Sequence, residues 1–332
     1  MWKFGLVGAL LLATLAGCSG GGQAASGEAP TGGNAPTAAK KRIAFIPKGA
    51  THEFWKTMQA GAEKAASEKG VELIWKAPLK EDDRAEQIKV VENFTVDKVD
   101  GIVLAPLDEN ALAVPGNEAI AAGISVLIVD SGIKGLEPIS FIATDNYAAG
   151  KTSAERLAKA MGGKGKVIVL RYLEGSASTM AREQGFLDGA KEFGLEVVSS
   201  EQYGGATRES AQTASENLIS RFKEGDALSM QGIFAPNEST TFGMMRALEG
   251  AGLLGKVKLV GFDSSQELLA AVREGKIEGL LLQDPFKMGY LGVTKMLEHL
   301  NGTKPEPKID SGAVFVDKTN IDSEEVKALL PK

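Results

Sequence analysis

Short apolar runs alternate with longer amphipathic segments along most of this chain. Arg42-Ile43-Ala44-Phe45-Ile46-Pro47 is a near-continuous apolar run of strand length. Glu53 to Lys69 follows, with apolar or small residues at Phe54, Met58, Gly61, Ala62 and Ala65, a helical spacing that Gly70 should end. The same reading predicts strands over 71–75, 101–105 and 124–130 and helices over 83–96 and 111–122, the last starting late because of Pro115. After Asp145 the alternation restarts. Helices are expected over 147–161, 179–193, 209–222, 240–251 and 266–273. Strands are expected over 166–171, 195–198, 231–235, 257–262 and 278–283. A helix over 286–300, a Pro-rich turn and a strand over 313–316 close the pattern, too short for a further domain.

Strands separated by helices of this length imply parallel sheets with right-handed crossovers. Apolar strands such as Ile124–Val129 and Val167–Leu170 fit sheets covered on both faces. Two successive runs of similar size predict two similar α/β domains.

The start of the chain has a different character. Met1-Trp2-Lys3 carries one positive charge, and an apolar run from Phe4 to Leu15 leads to Leu15-Ala16-Gly17-Cys18. This is the layout of an export signal over residues 1–17. The run is too short to cross a bilayer core of about 30 Å as a helix. Leu-Ala-Gly-Cys resembles the bacterial lipobox, which implies that Cys18 is lipidated and becomes the mature N-terminus. Cys18 is the only cysteine, so a disulfide within the chain is excluded. The Gly/Ala/Ser/Pro/Thr-rich stretch that follows has almost no large apolar residue, and residues 18–40 are expected to be a flexible tether. Export also argues against cytosolic enzymes, transcription factors and nucleotide-driven motors.

Composition removes further classes. The net charge is −6 with no strongly basic block, which argues against nucleic-acid binding. Two histidines and one cysteine leave little for a zinc site, and no metal or cofactor is expected. Gly162-Gly163-Lys164-Gly165-Lys166 lacks the Ser or Thr of a phosphate loop and precedes a strand, so it reads as a turn. His52-Glu53 has no second histidine at helical spacing, and no Gly-x-Ser-x-Gly elbow occurs. These absences lean against catalysis.

Ligands of open parallel sheets sit beyond the carboxyl ends of the strands. Those ends carry His52, Phe54 and Trp55 after the first strand and Asp130 after the fourth. In the second run they carry Arg182 near a helix start, Asn237, Asp263 and Gln283. Adjacent aromatics, carboxylates, a guanidinium and amides suit a polyhydroxylated ligand: planar polar groups meet hydroxyls, and aromatic faces meet the C–H face of a sugar ring.

Residues 41–316 resemble the sugar-binding proteins of bacterial ABC transporters, the ribose-binding-protein-like group of type I solute receptors. The resemblance is carried by Phe54-Trp55 with Gln59-Ala60-Gly61-Ala62, by Gly101-Ile102-Val103-Leu104-Ala105-Pro106, and by Gly123-Ile124-Ser125-Val126 leading to Asp130. Ala143-Thr144-Asp145-Asn146 with Gly150, Ala181-Arg182-Glu183-Gln184-Gly185-Phe186, Phe234-Ala235-Pro236-Asn237-Glu238 and Val260-Gly261-Phe262-Asp263 continue it. It implies two Rossmann-like, doubly wound parallel-sheet domains, residues 41–144 plus 284–311 and residues 145–283 plus 312–332, joined by three crossovers and closing on a sugar. Phe54 and Trp55 would sandwich the ring, and Asp130, Arg182, Asn237, Asp263 and Gln283 would bind hydroxyls. The chain departs from the ribose-binding pattern at Ser131, where an Arg follows the aspartate, at Ala206, where the second domain has an aromatic (Tyr203 lies close by), and at His52, a position often Asn. The resemblance therefore implies a sugar or polyol rather than ribose. It implies a monomeric, membrane-anchored lipoprotein, periplasmic or at the cell surface, that hands its ligand to an ABC transporter permease. A sensing protein for a chemoreceptor or sensor kinase, a sugar-responsive repressor core and an exported enzyme are the alternatives. The repressor would need an N-terminal helix-turn-helix, and residues 1–40 supply a signal and tether instead.

Overall fold

The computed structural model describes residues 40–330; the expected signal, Cys18 and nearly all of the tether lie outside the described residues. The first run forms β1 (Arg42–Ile46), α1 (Glu53–Lys69), β2 (Glu72–Trp75), α2 (Arg84–Val96), β3 (Gly101–Leu104), α3 (Ala113–Ala121), β4 (Ser125–Val129) and β5 (Phe141–Ala143). The second forms α4 (Asn146–Ala160), β6 (Gly165–Arg171), α5 (Ala177–Glu192), β7 (Leu195–Tyr203), α6 (Arg208–Ser220), the hairpin strands β8 (Lys223–Glu224) and β9 (Ala227–Leu228), and β10 (Gly232–Phe234). It continues through α7 (Glu238–Gly250), β11 (Lys258–Phe262), α8 (Gln266–Arg273) and β12 (Gly279–Gln283). The chain ends with α9 (Pro285–Leu300), β13 (Lys308–Asp310), β14 (Ala313–Val316) and α10 (Glu324–Leu329).

Two six-stranded sheets result, ordered β13-β5-β4-β3-β1-β2 and β14-β12-β11-β10-β6-β7. The two follow one plan, strand for strand. All pairs are parallel except β12 with β14. In each, the first strand of the run sits between the second and the third, so the order reverses at β1/β3 and at β6/β10. The carboxyl ends at those reversals are where an open α/β sheet leaves a crevice.

The apolar runs work because period two sorts them onto two covered faces. Ile43 and Phe45 of β1 join the cluster with Trp55, Met58 and Met288, whereas Ala44 and Ile46 join the one with Val90, Phe94 and Ile128. The second sheet is covered in the same way by two further clusters.

The chain passes between the lobes at residues 144–145, at 284 and at 311–312. Asp145 and Asp284 each cap the helix that follows, accepting from Ala148 N at 3.1 Å and from Lys287 N at 2.8 Å. The passages are tied side by side: Ser311 N donates to Ala143 O at 3.0 Å, and Thr144 Oγ1 to Gly312 O at 3.1 Å.

α1 has the predicted bounds, and Gly70 ends it with φ 68°. Pro115 falls in the first turn of α3, where a missing N–H costs nothing. β7 runs five residues past the expected end at 198, because its outer half is the polar, part-exposed edge Ser199–Tyr203, paired with β6 alone. β5, β13, α10 and the β8–β9 hairpin are absent from the sequence reading; at six residues or fewer, none is long enough to show a period.

One close helix contact places the site. α4 and α5 pack with Gly150 against Arg182 and Gly185 against Tyr147; a Cβ on Gly150 would lie 2.0 Å from the Arg182 carbonyl oxygen. We expect Gly150→Ala to destabilise the protein by about 1–3 kcal/mol, since overpacking forces the helices apart. Denaturant unfolding monitored by circular dichroism measures this, and an unchanged midpoint would refute the close packing of α4 on α5.

Candidate functional site

The carboxyl ends of both sheets face one cavity between the lobes. His52, Phe54, Trp55, Asp130, Arg182, Asn237, Asp263 and Gln283 all line it. Ser131 does not. Its side chain is buried and its Oγ accepts the Ser178 N–H at 3.1 Å, which brings the start of α5 against the first lobe.

Each lobe contributes a carboxylate from the end of its fourth strand. Asp130 follows β4 and Asp263 follows β11, with φ of 62° and 61°. The left-handed backbone is uncommon outside glycine but is tolerated by Asp. Asp130 Oδ2 lies 2.8 Å from Lys48 Nζ, an ion pair set off the angle of a well-formed hydrogen bond. Lys48 is 4% exposed and also donates to Ser178 Oγ across the cleft at 3.0 Å. The cation beside Asp130 thus comes from the end of β1, not from position 131.

In the second lobe, Arg182 Nε donates to Asn146 Oδ1 at 2.7 Å and Nη1 to Pro236 O at 2.9 Å. Its guanidinium lies 4.0 Å from the Phe262 ring centre and 3.9 Å from Asp263 Oδ2. Burial lowers the Arg182 pKa, against the pull of Asp263 and Asp130, yet an arginine stays charged. Burial raises the Asp263 pKa, opposed by Arg182 and by Gln283, whose Nε2 donates to Asp263 Oδ1 at 2.7 Å. That bond fixes the amide's orientation and leaves Gln283 Oε1 buried without a partner. Glu238 Oε2 is in the same condition, while its Oε1 accepts from Arg208. Asn237 caps α7: its Oδ1 accepts from Thr240 N at 3.3 Å and Thr240 Oγ1 at 2.6 Å, and its Nδ2 donates to Ser239 Oγ at 3.2 Å, so one Nδ2 hydrogen remains for a ligand.

The aromatic wall differs from the expected sandwich. Phe54 and Trp55 are neighbours on one helix, with rings 4.8 Å apart at 88°. Perpendicular rings offer a face and an edge, not two parallel faces. Trp55 is 3% exposed and its Nε1 donates to Glu81 Oε1 at 2.7 Å. Ala206 is buried outside the cavity wall, and Tyr203 does not reach the cavity either; it lies 5.8 Å from the Arg171 guanidinium. The second lobe's aromatic is Tyr172, directly after β6.

Lys48, Glu81, Tyr172, Ser178 and Glu238 line the cavity without having been singled out in the sequence. The strand-end rule points to three of them: Lys48 follows β1, Glu81 sits in the loop after β2, and Tyr172 follows β6. Among the described residues, no group of three or more His, Cys, Asp or Glu is placed to hold a metal, and no helix is long and apolar enough to cross a membrane.

Behind the wall, Glu183 accepts the Tyr172 N–H at 3.0 Å and is 1% exposed. Burial raises its pKa to about 7, against the pull of that bond and of Arg171. Between its ordinary pKa near 4.5 and about 7, the folded protein holds a proton that the unfolded chain has released. Stability therefore falls as pH rises through this window, by about 3 kcal/mol, and levels off above it. Glu183→Gln should remove this slope, so its stability relative to wild type should rise between pH 5 and 8. Urea unfolding at both pH values measures it; parallel pH profiles would contradict the assignment.

The profile of the periplasmic binding protein domain matches residues 43–304. The ribose import binding protein of Haemophilus influenzae is 31% identical over 274 residues, 82% of this chain and 89% of that protein. A solute-binding protein of an ABC transporter from Agrobacterium vitis, solved with bound D-fucose, is 36% identical with a TM-score of 0.83, covering 87% of this chain and all of that one. A carbohydrate transporter solute-binding protein from Agrobacterium radiobacter, solved with D-arabinose, is 32% identical with a TM-score of 0.83, covering 89% of this chain and all of that one. These relatives are binding proteins, not enzymes. The chain belongs to the periplasmic binding protein family and has its type I fold.

Proposed function

We propose that this chain is an exported solute-binding lipoprotein that captures a sugar or polyol between its lobes and delivers it to an ABC transporter permease. The convergence of strand-end residues from both lobes on one cavity carries this reading. That cavity pairs aromatic surface with charged and amide groups, and its buried Gln283 Oε1 and Glu238 Oε2 lack donors. Ligand hydroxyls supply such donors, and a ligand that leaves a buried polar group unpaired is rejected. The sugars named for its relatives, ribose, fucose and arabinose, support the same class.

Closure is the proposed mechanism. The three passages between the lobes act as the hinge, and a ligand that touches both lobes favours the closed form by its differential affinity. Residues 41–144 with 284–311 and 145–283 with 312–332 are the two moving bodies. Lipidation of Cys18 and the tether place the protein at a membrane surface outside the cytoplasm.

A thermal-shift screen of the purified protein against pentoses, hexoses, pentitols and inositols should single out one compound or a few related ones. At 100 times its dissociation constant, a ligand adds about 2.7 kcal/mol of apparent stability. A flat response after stripping by unfolding and refolding would remove the sugar reading. Arg182→Ala should lose about 2–5 kcal/mol of binding free energy in calorimetry with a native circular dichroism spectrum; normal affinity would misplace the second-lobe wall. Small-angle scattering should show a smaller radius of gyration at saturating ligand, and an unchanged radius would sink the closure mechanism.

A further inference from the structure

Glu81 is a buried carboxylate that gathers donors from both lobes. Its Oε1 accepts the Trp55 indole N–H at 2.7 Å and lies 3.0 Å from His52 Nδ1; its Oε2 accepts the Tyr172 hydroxyl at 2.7 Å. Trp55 and His52 belong to the first lobe and Tyr172 to the second. An ionised carboxylate only accepts, and hydrogen bonds to it are about twice as strong as neutral ones. Burial, together with the charge of Glu81, holds the Tyr172 pKa well above its ordinary value, so the phenol stays a donor. The chain also makes room for this side chain. A Cβ on Gly49 would lie 2.8 Å from Glu81 Cγ, so any larger residue there displaces it.

We propose that Glu81 is a positioning residue that couples the aromatic wall to lobe closure. It holds Trp55 and His52 in both open and closed forms, and takes the Tyr172 hydroxyl only when the lobes meet. The bond to Tyr172 therefore belongs to the closing equilibrium, and its strength sets the share of closed protein that a ligand finds. The identity of the ligand rests on the sugar reading above; the geometry of Glu81 does not.

The test is a double-mutant cycle on the purified full chain. Calorimetry with D-arabinose, D-fucose and D-allose compares wild type, Glu81→Gln, Tyr172→Phe and the double variant, with Gly49→Ala as a variant that crowds Glu81 but keeps its charge. For whichever sugar binds the wild type, each single variant should weaken binding about ten-fold. The double variant should be no weaker than the weaker single one, because both remove the same bond. Gly49→Ala should weaken binding as well. A structural role confined to the first lobe predicts instead that the two single losses multiply, and that result, or normal binding by Gly49→Ala, overturns the proposal. If none of the three sugars binds the wild type, the choice of sugar has failed and not the geometry of Glu81. Scattering without ligand then decides the role of Glu81: Glu81→Gln and Tyr172→Phe should each enlarge the radius of gyration, and equal radii would overturn it.

Discussion

Charge buried between two lobes has to be matched by charge or hydrogen bonds from the same wall, and the arrangement of the cleft follows from that. Lys48, Asp130 and Arg182 are all less than 5% exposed. Taking one such ion out of water costs several kcal/mol unless a partner is fixed beside it. Asp130 meets Lys48, Asp263 meets Gln283 and Arg182, and Glu81 meets the Trp55 and Tyr172 donors beside the His52 ring. Of these, the Glu81–Tyr172 bond crosses the cleft, and Lys48 also reaches across it to Ser178. The charge balance of the site therefore depends on how closely the lobes approach.

The approach is concentrated in one segment. Tyr172, Glu174, Gly175 and Ser178, from the end of β6 into the first turn of α5, all bond to the first lobe. Their partners there are Glu81, Arg84, Glu109 and Lys48. Ser178 N also reaches Ser131. This segment leaves β6 at the point where the second sheet reverses its strand order, so the topology that opens a crevice also delivers the residues that close it.

Much of this was legible in the sequence. The alternation of apolar strands and amphipathic helices gave both sheets, because period two and helical spacing persist over whole elements, as in β1 and α1. It could not show β5 or β13, whose three residues carry no period. The strand-end rule found Asp130, Arg182, Asn237, Asp263 and Gln283. Lys48 and Tyr172 follow the switch strands β1 and β6 and satisfy the same rule, but nothing in their local sequence sets them apart as site residues. Glu81 was harder to find, since its role depends on His52 and Trp55 at the start of α1 and Tyr172 from the other lobe, a conjunction that only the fold creates.

The departures at Ser131 and Ala206 also read differently once the fold is known. Sequence marks them as a missing cation and a missing aromatic. The structure supplies both from neighbouring strand ends, the cation as Lys48 and the aromatic as Tyr172. The replacements differ in chemistry from what the ribose-like pattern holds. An ammonium is a point charge without the planar fork of a guanidinium, and a phenol brings a hydroxyl that is already committed to Glu81. On the proposed sugar reading, selectivity in this cleft rests less on one forked donor and more on the acceptors that its own pairs leave free, Gln283 Oε1 and Glu238 Oε2. Both are fixed from behind, by Asp263 and by Arg208, so a ligand must bring its hydroxyls to them.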